Sequence, residues 1–159
     1  MDATTLARSL TTLLSELVDG PADPCFMLNK GDRGLLRSLE ELSAEAASQS
    51  TAGGATIAAH VDHIRYGVSL MNRWGAGEDP WADADWAQSW RITRLTDAEW
   101  TKLRADLGAE LRRWQDFVRE PRERNVMELN GVISSIVHLA YHLGALRQID
   151  RHARGPRAE

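Results

Sequence analysis

Ser135-Ile136-Val137-His138-Leu139-Ala140-Tyr141-His142-Leu143-Gly144-Ala145-Leu146-Arg147-Gln148-Ile149 is the stretch on which the reading of this chain turns. Its two histidines are four residues apart. On a helix that spacing sets both imidazoles on one face, one turn apart. Two such rings can hold one metal ion from two sides. A third ring would complete a facial triad, and Ala58-Ala59-His60-Val61-Asp62-His63-Ile64 offers a candidate far upstream. Three of the five histidines would then meet at one point. A lone histidine on a helix is more often a partly buried, hydrogen-bonded side chain, so the spacing alone is a weak sign of metal. The sign strengthens inside an apolar run, where two neutral imidazoles need partners.

The helix that carries this pair is predicted to start after Asn125, with Glu128 as its reciprocal cap, and to run to about Ala153. It shows two apolar stripes. Ile133, Ile136, Val137, Ala140 and Gly144 make one; Ser135, His138, Leu139, His142, Leu146 and Ile149 make the other. A helix apolar over so much of its surface is expected to be buried on two sides, with both histidines facing protein or a cavity. The polar residues 154–159 read as a frayed tail.

The upstream histidines fall on a second long helix, Thr56 to Trp74, whose core stripe is Ile57, Val61, Ile64, Val68 and Met71. At about 100° per residue, His60 lies roughly 60° from Ile57 and His63 roughly 120° away. This favours His60 as the inward ring and leaves His63 on the flank. Asp62 points away from His60 on the same wheel and is not assigned a role.

Four of the six tryptophans fall between Trp74 and Trp90, in a segment that also holds Gly75, Gly77 and Pro80. A structureless loop of some 20 residues is uncommon in a compact domain. A short helical piece around Asp83–Ser89 is therefore expected, or a segment that packs as a cover. The tryptophans either seal one end of the molecule or form a site lid or dimer contact.

Thr96-Asp97-Ala98-Glu99 fits a capping box, and Trp100, Leu103, Leu107, Leu111, Trp114 and Val118 follow at helical steps until Pro121. At the N-terminus, Leu6, Leu10, Leu13 and Leu17 define a helix from about Thr4 to Asp19, stopped by Gly20 and Pro21. Residues 20–31 read as a loop in which Cys25, Phe26, Met27 and Leu28 are expected to tuck inward, Cys25 for packing rather than reactivity. A shorter helix follows Asp32, with Leu35, Leu36, Leu39 and Leu42 as its stripe, and Ser43–Ser48 adds a turn before Gly53-Gly54. Period-two alternation is absent. The fold class is all-α: a single domain over 1–153, a helical bundle with long connections.

Composition narrows the function. The chain has 159 residues, 43% hydrophobic and 26% charged, as an ordinary globular protein does. A net charge of −4 with acids and bases interspersed disfavours nucleic acid as a partner. One cysteine excludes an intrachain disulfide and suits a reducing compartment. No signal peptide is visible at Met1-Asp2-Ala3-Thr4-Thr5, and no apolar run approaches the roughly 20 residues of a membrane span. A cytoplasmic location without membrane attachment is expected.

Two segments also carry a family resemblance. Thr56-Ile57-Ala58-Ala59-His60-Val61-Asp62-His63-Ile64, followed some 70 residues later by Val137-His138-Leu139-Ala140-Tyr141-His142-Leu143-Gly144-Ala145-Leu146-Arg147-Gln148-Ile149, resembles the DinB/YfiT-like superfamily. The resemblance extends from the first helix to Ile149 and is most specific in the run His138–Gln148. It implies a four-helix bundle with long crossover connections, here with a short extra helix and a Trp-rich connection. It implies a three-histidine metal site made of His60, His138 and His142, with His63 as a neighbouring non-ligand, and a homodimer. It also implies chemistry dependent on a divalent ion, zinc or nickel. Members resemble S-transferases or isomerases that use a low-molecular-weight thiol, or metal-dependent hydrolases. The added C-terminal domain of the mycothiol-linked isomerases is not expected here. No catalytic base is named by the residues. Imidazole-only ligation leaves an ion its charge and open positions, which can acidify water toward about pH 7 or activate a thiol. The alternative is an ion that clamps two helices in a homodimer without turnover. Arg147, one turn beyond His142, either meets an anionic substrate group or pairs with a carboxylate.

Overall fold

A computed structural model describes residues 2–50, 53–150, 153, 155 and 156. Among the described residues the fold is all-helical, with no strand. The elements in order are α1 (Ala3–Asp19), α2 (Gly34–Glu40), α3 (Ala44–Ala47), α4 (Ile57–Gly75), a 3-10 turn (Gln88–Trp90), α5 (Asp97–Arg119) and α6 (Val126–Ile149).

The helix starts follow from side-chain caps that satisfy the orphan amides of the first turn. The Asp2 carboxylate accepts from Thr5 N, Thr56 Oγ1 from Ala59 N, and reciprocal capping boxes form at Thr96/Glu99 and Asn125/Glu128. Thr56 Oγ1 also donates to the carbonyl of Ile92 at 2.8 Å. The start of α4 is thereby tied to the chain leaving the tryptophan segment.

The apolar stripes of α1, α4, α5 and α6 meet in one continuous core with α2 and α3. Leu14, Leu17, Ile57, Ile64, Leu107, Leu111, Trp114 and Leu146 are among its fully buried members. Trp114 is stacked on Phe117, and its indole N–H donates to Ser135 Oγ of α6. α4 packs along α5 and also touches α6, which brings the two histidine-bearing helices together.

Four expectations are corrected here. α6 ends at Ile149 rather than near Ala153, because Asp150 turns to extended backbone (φ −122°, ψ 129°). Of the expected tail 154–159, only Gly155 and Pro156 lie among the described residues. The loop residues Cys25, Phe26 and Met27 do not tuck inward; all three are exposed, and only Leu28 packs on the core. The loop is held instead by polar contacts. The buried Glu16 carboxylate accepts hydrogen bonds from the backbone N–H groups of Phe26, Met27 and Leu28 at 2.6–3.1 Å.

The third concerns α6. Its buried residues are Val132, Ile136, Leu139, His142, Leu143 and Leu146, so one side meets the core. The stripe of Ile133, Ile136, Val137, Ala140 and Gly144 is buried only at Ile136: Ile133 and Val137 are 43% and 61% exposed. α6 is also the one helix, among the described residues, long and apolar enough to cross a bilayer, contrary to the expectation that no stretch comes near that length.

Candidate metal centre

Four imidazoles gather where α4 faces α6. His138 and His142 sit one turn apart on α6, and their Nε2 atoms are 2.9 Å apart. From α4, His63 brings its Nε2 to 3.2 Å from that of His138. Together, His63, His138 and His142 offer ring nitrogens that all lie within 4.8 Å of one another. His60 approaches from the other side: its Nδ1 lies 2.9 Å from Nδ1 of His142.

The hydrogen bonds assign the tautomers. Ser89 Oγ donates its single proton to the carbonyl of Trp86 at 2.8 Å. It therefore accepts from His63 Nδ1 at 2.9 Å, which makes Nδ1 the protonated nitrogen of His63. The lone pair of His63 is then on Nε2 and aims at the cluster. By the same logic, His142 can present Nε2 to the cluster only if its Nδ1–H donates to His60 Nδ1. A ligand histidine typically donates its second nitrogen to a neighbouring group in this way, which fixes ring orientation.

No carboxylate is bonded to these rings among the described contacts, so burial acts on them unopposed. His142 is pushed down to about 3, chiefly by burial and then by His138, His63 and His60. His63 is pushed down to about 4 by burial, then by His138 and His60. Burial also lowers His60 and His138. All four are neutral at pH 7, the form a metal requires. Zinc–imidazole bonds of about 2.0–2.1 Å in a tetrahedral arrangement put donor nitrogens about 3.3 Å apart. The His63–His138 Nε2 separation of 3.2 Å is near that spacing, the His138–His142 separation of 2.9 Å is shorter, and all three rings bring nitrogens within 4.8 Å of one another.

His60, His138 and His142 were expected to converge; the compact set has His63 in place of His60. His63 is buried at 8% exposure, whereas His60 is only partly buried. The reason lies outside α4. The Trp-rich segment folds back over the helix, so that Trp90 stacks on His63 at 4.2 Å between centroids and Trp86 lies 5.5 Å away. A wheel referenced to Ile57 cannot register a flank that is covered by a remote segment. Trp90 also meets His60 edge-on at 5.1 Å. The segment is thus a cover over the histidines. Its expected helical piece is a single 3-10 turn, Gln88–Trp90.

The remaining assignments are quickly placed. Asp62 pairs with Arg65 at 2.7 Å, away from the cluster. Arg147 pairs with the buried Asp32 at 2.7 Å, so the carboxylate reading holds over the substrate reading. Ser89 was missed by sequence reasoning, and no spacing within the chain points to it. No protein-family model, no curated protein and no solved structure matches this chain.

Proposed function

We propose that this chain is a DinB/YfiT-like protein, a four-helix bundle with long crossover connections. On this reading it is a metal-dependent enzyme that acts on a small molecule, as a thiol-dependent S-transferase or a hydrolase. The observation that carries the reading is the gathering of ring nitrogens from His63, His138 and His142, all within 4.8 Å of one another, between α4 and α6. Three imidazoles and no carboxylate favour zinc or nickel over calcium or magnesium. Three protein ligands also leave a position open, as catalytic sites do and structural sites do not. A divalent ion held there would supply Lewis acidity, lowering the pKa of bound water or thiol. The protein's own part is to hold the rings: Ser89 sets the tautomer of His63, His60 that of His142, and Trp90 stacks against His63.

The competing reading is an ion that only clamps α4 to α6 in a homodimer without turnover. It draws on the fourth imidazole, His60, which would have to close the coordination. The contact of His60 with the opposite nitrogen of His142 favours the open site.

The test is elemental analysis of purified protein together with the visible absorption of its cobalt-substituted form. One ion per chain and a spectrum that changes on adding a small thiol support the enzyme. One ion with a spectrum indifferent to added thiol or other small ligands supports the clamp. No stoichiometric metal overturns both.

A further inference from the structure

Outside the histidine cluster, the largest unexplained feature is the outer face of α6. Only 33% of the helix's most apolar window is buried. Val137 and Tyr141 are 61% and 69% exposed. This surface is not flat. It forms one wall of a cavity of about 840 Å³, whose other walls are α4 and the tryptophan segment. Its lining includes Met71, Trp74, Trp81, Trp86, Val137 and Tyr141, and no Asp, Glu, Lys or Arg is among the lining residues. That volume falls within the range of small-molecule sites. His138 lines the same cavity, so the groove runs up to a member of the metal-binding trio.

Two helical glycines shape the groove. A Cβ on Gly131 would lie 2.9 Å from the Trp74 ring and 3.5 Å from Met71 Cε. A Cβ on Gly67 would lie 3.5 Å from the Trp86 ring and 3.8 Å from His138 Cε1. Glycine inside a helix costs about 1 kcal/mol relative to alanine. Here it lets two indoles lie against the helix backbones as cavity walls.

Resting on the metal-centre reading above, we propose that this groove is the substrate pocket of the histidine centre and takes an uncharged, largely apolar organic molecule carrying an aromatic-sized group. Aromatic and thioether walls reward burial of such a group. Along the groove, away from the metal, a carboxylate, phosphate or sulfonate on it would be desolvated with no lysine or arginine to meet it. A charged thiol co-substrate would therefore have to reach the metal from another side, with the neutral partner in the groove.

The test uses two probes that share one aromatic skeleton: neutral N-phenyl-1-naphthylamine and anionic 8-anilino-1-naphthalenesulfonate. Both are titrated into the zinc-loaded protein by fluorescence, with zinc content and molar mass measured alongside. The neutral probe is expected to bind one per chain and at least tenfold more tightly than the anion. Val137→Asp, an exposed position on the groove wall, should weaken it at least tenfold. Val126→Asp, at a still more exposed position on the same helix but outside the groove, should leave it unchanged. Saturation with the neutral probe should alter the visible spectrum of the cobalt-loaded protein. Zinc binding without a preference for the neutral probe overturns the groove assignment alone, as does an equal effect of the two substitutions. A stable dimer that Val137→Asp dissociates, with probe binding only to the monomer, also overturns it and assigns the face to a second copy. Absence of zinc overturns the metal centre and the pocket's link to it, even if the neutral probe binds.

Discussion

Replacing His63 by alanine is expected to weaken zinc binding at least 100-fold, and replacing His60 by only about tenfold. The difference comes from which nitrogen each ring faces. His63 Nε2 stands 3.2 Å from His138 Nε2, close to the spacing of about 3.3 Å between donors on a tetrahedral zinc. His60 meets His142 at Nδ1, and the two nitrogens of one imidazole point in diverging directions. Its contribution is that of an acceptor that orients His142. Loss of such outer partners costs 10- to 100-fold in metal affinity, and loss of a direct ligand costs more. A factor of 100 is about 2.7 kcal/mol. The assay is competition for zinc against a chromophoric chelator at pH 7, with His142→Ala as the benchmark and circular dichroism as the check on folding. If His60→Ala falls as far as His142→Ala while His63→Ala stays within tenfold of the parent, the reasoning from nitrogen spacing is refuted and the expected His60 triad is restored.

Ser89→Ala removes the acceptor that holds the proton on His63 Nδ1, and is expected to lower zinc affinity 10- to 100-fold without unfolding the chain; unchanged competition curves would contradict this. In chelator-treated protein, His63 and His142 are held at about 4 and about 3 against an ordinary 6.5, so the unfolded chain binds the extra protons. Stability is therefore full above pH 6.5 and is lost as pH falls toward 4 and then 3, by up to about 1.4 kcal/mol per pH unit for each ring. Urea midpoints at pH 7.5, 6 and 5 should decline in that order, and a flat series would rule the linkage out. Glu16→Gln weakens the charge-assisted bonds to the Phe26–Leu28 amides and is expected to cost about 2 kcal/mol, or about 4–8 °C in Tm, read by calorimetry. Arg147→Met strands the buried Asp32 carboxylate and should cost about 3 kcal/mol while leaving zinc affinity within a factor of two, since the pair lies apart from the histidines.

The helices and their caps were legible in the sequence because both are local. A capping box needs only Thr96 and Glu99, or Asn125 and Glu128, three residues apart. The stripe Ile57-Val61-Ile64-Val68 needs only a 3.6-residue period, and the His138/His142 pair only one helical turn. Period and spacing determined that the chain is all-helical and that two imidazoles share a face. Which upstream histidine joins them was not local. α4 offers His60 and His63 on adjacent flanks, and the burial of His63 comes from Ser89, Trp86 and Trp90, about 26 residues downstream, folding back over it. The same holds for the apolar stripe of α6 that carries Ile133 and Val137. Its apolar character was readable, but only the approach of the tryptophan segment shows that it walls a groove instead of meeting the core. Burial of a flank is a property of what lies opposite it, and the period of a helix carries no record of its neighbour.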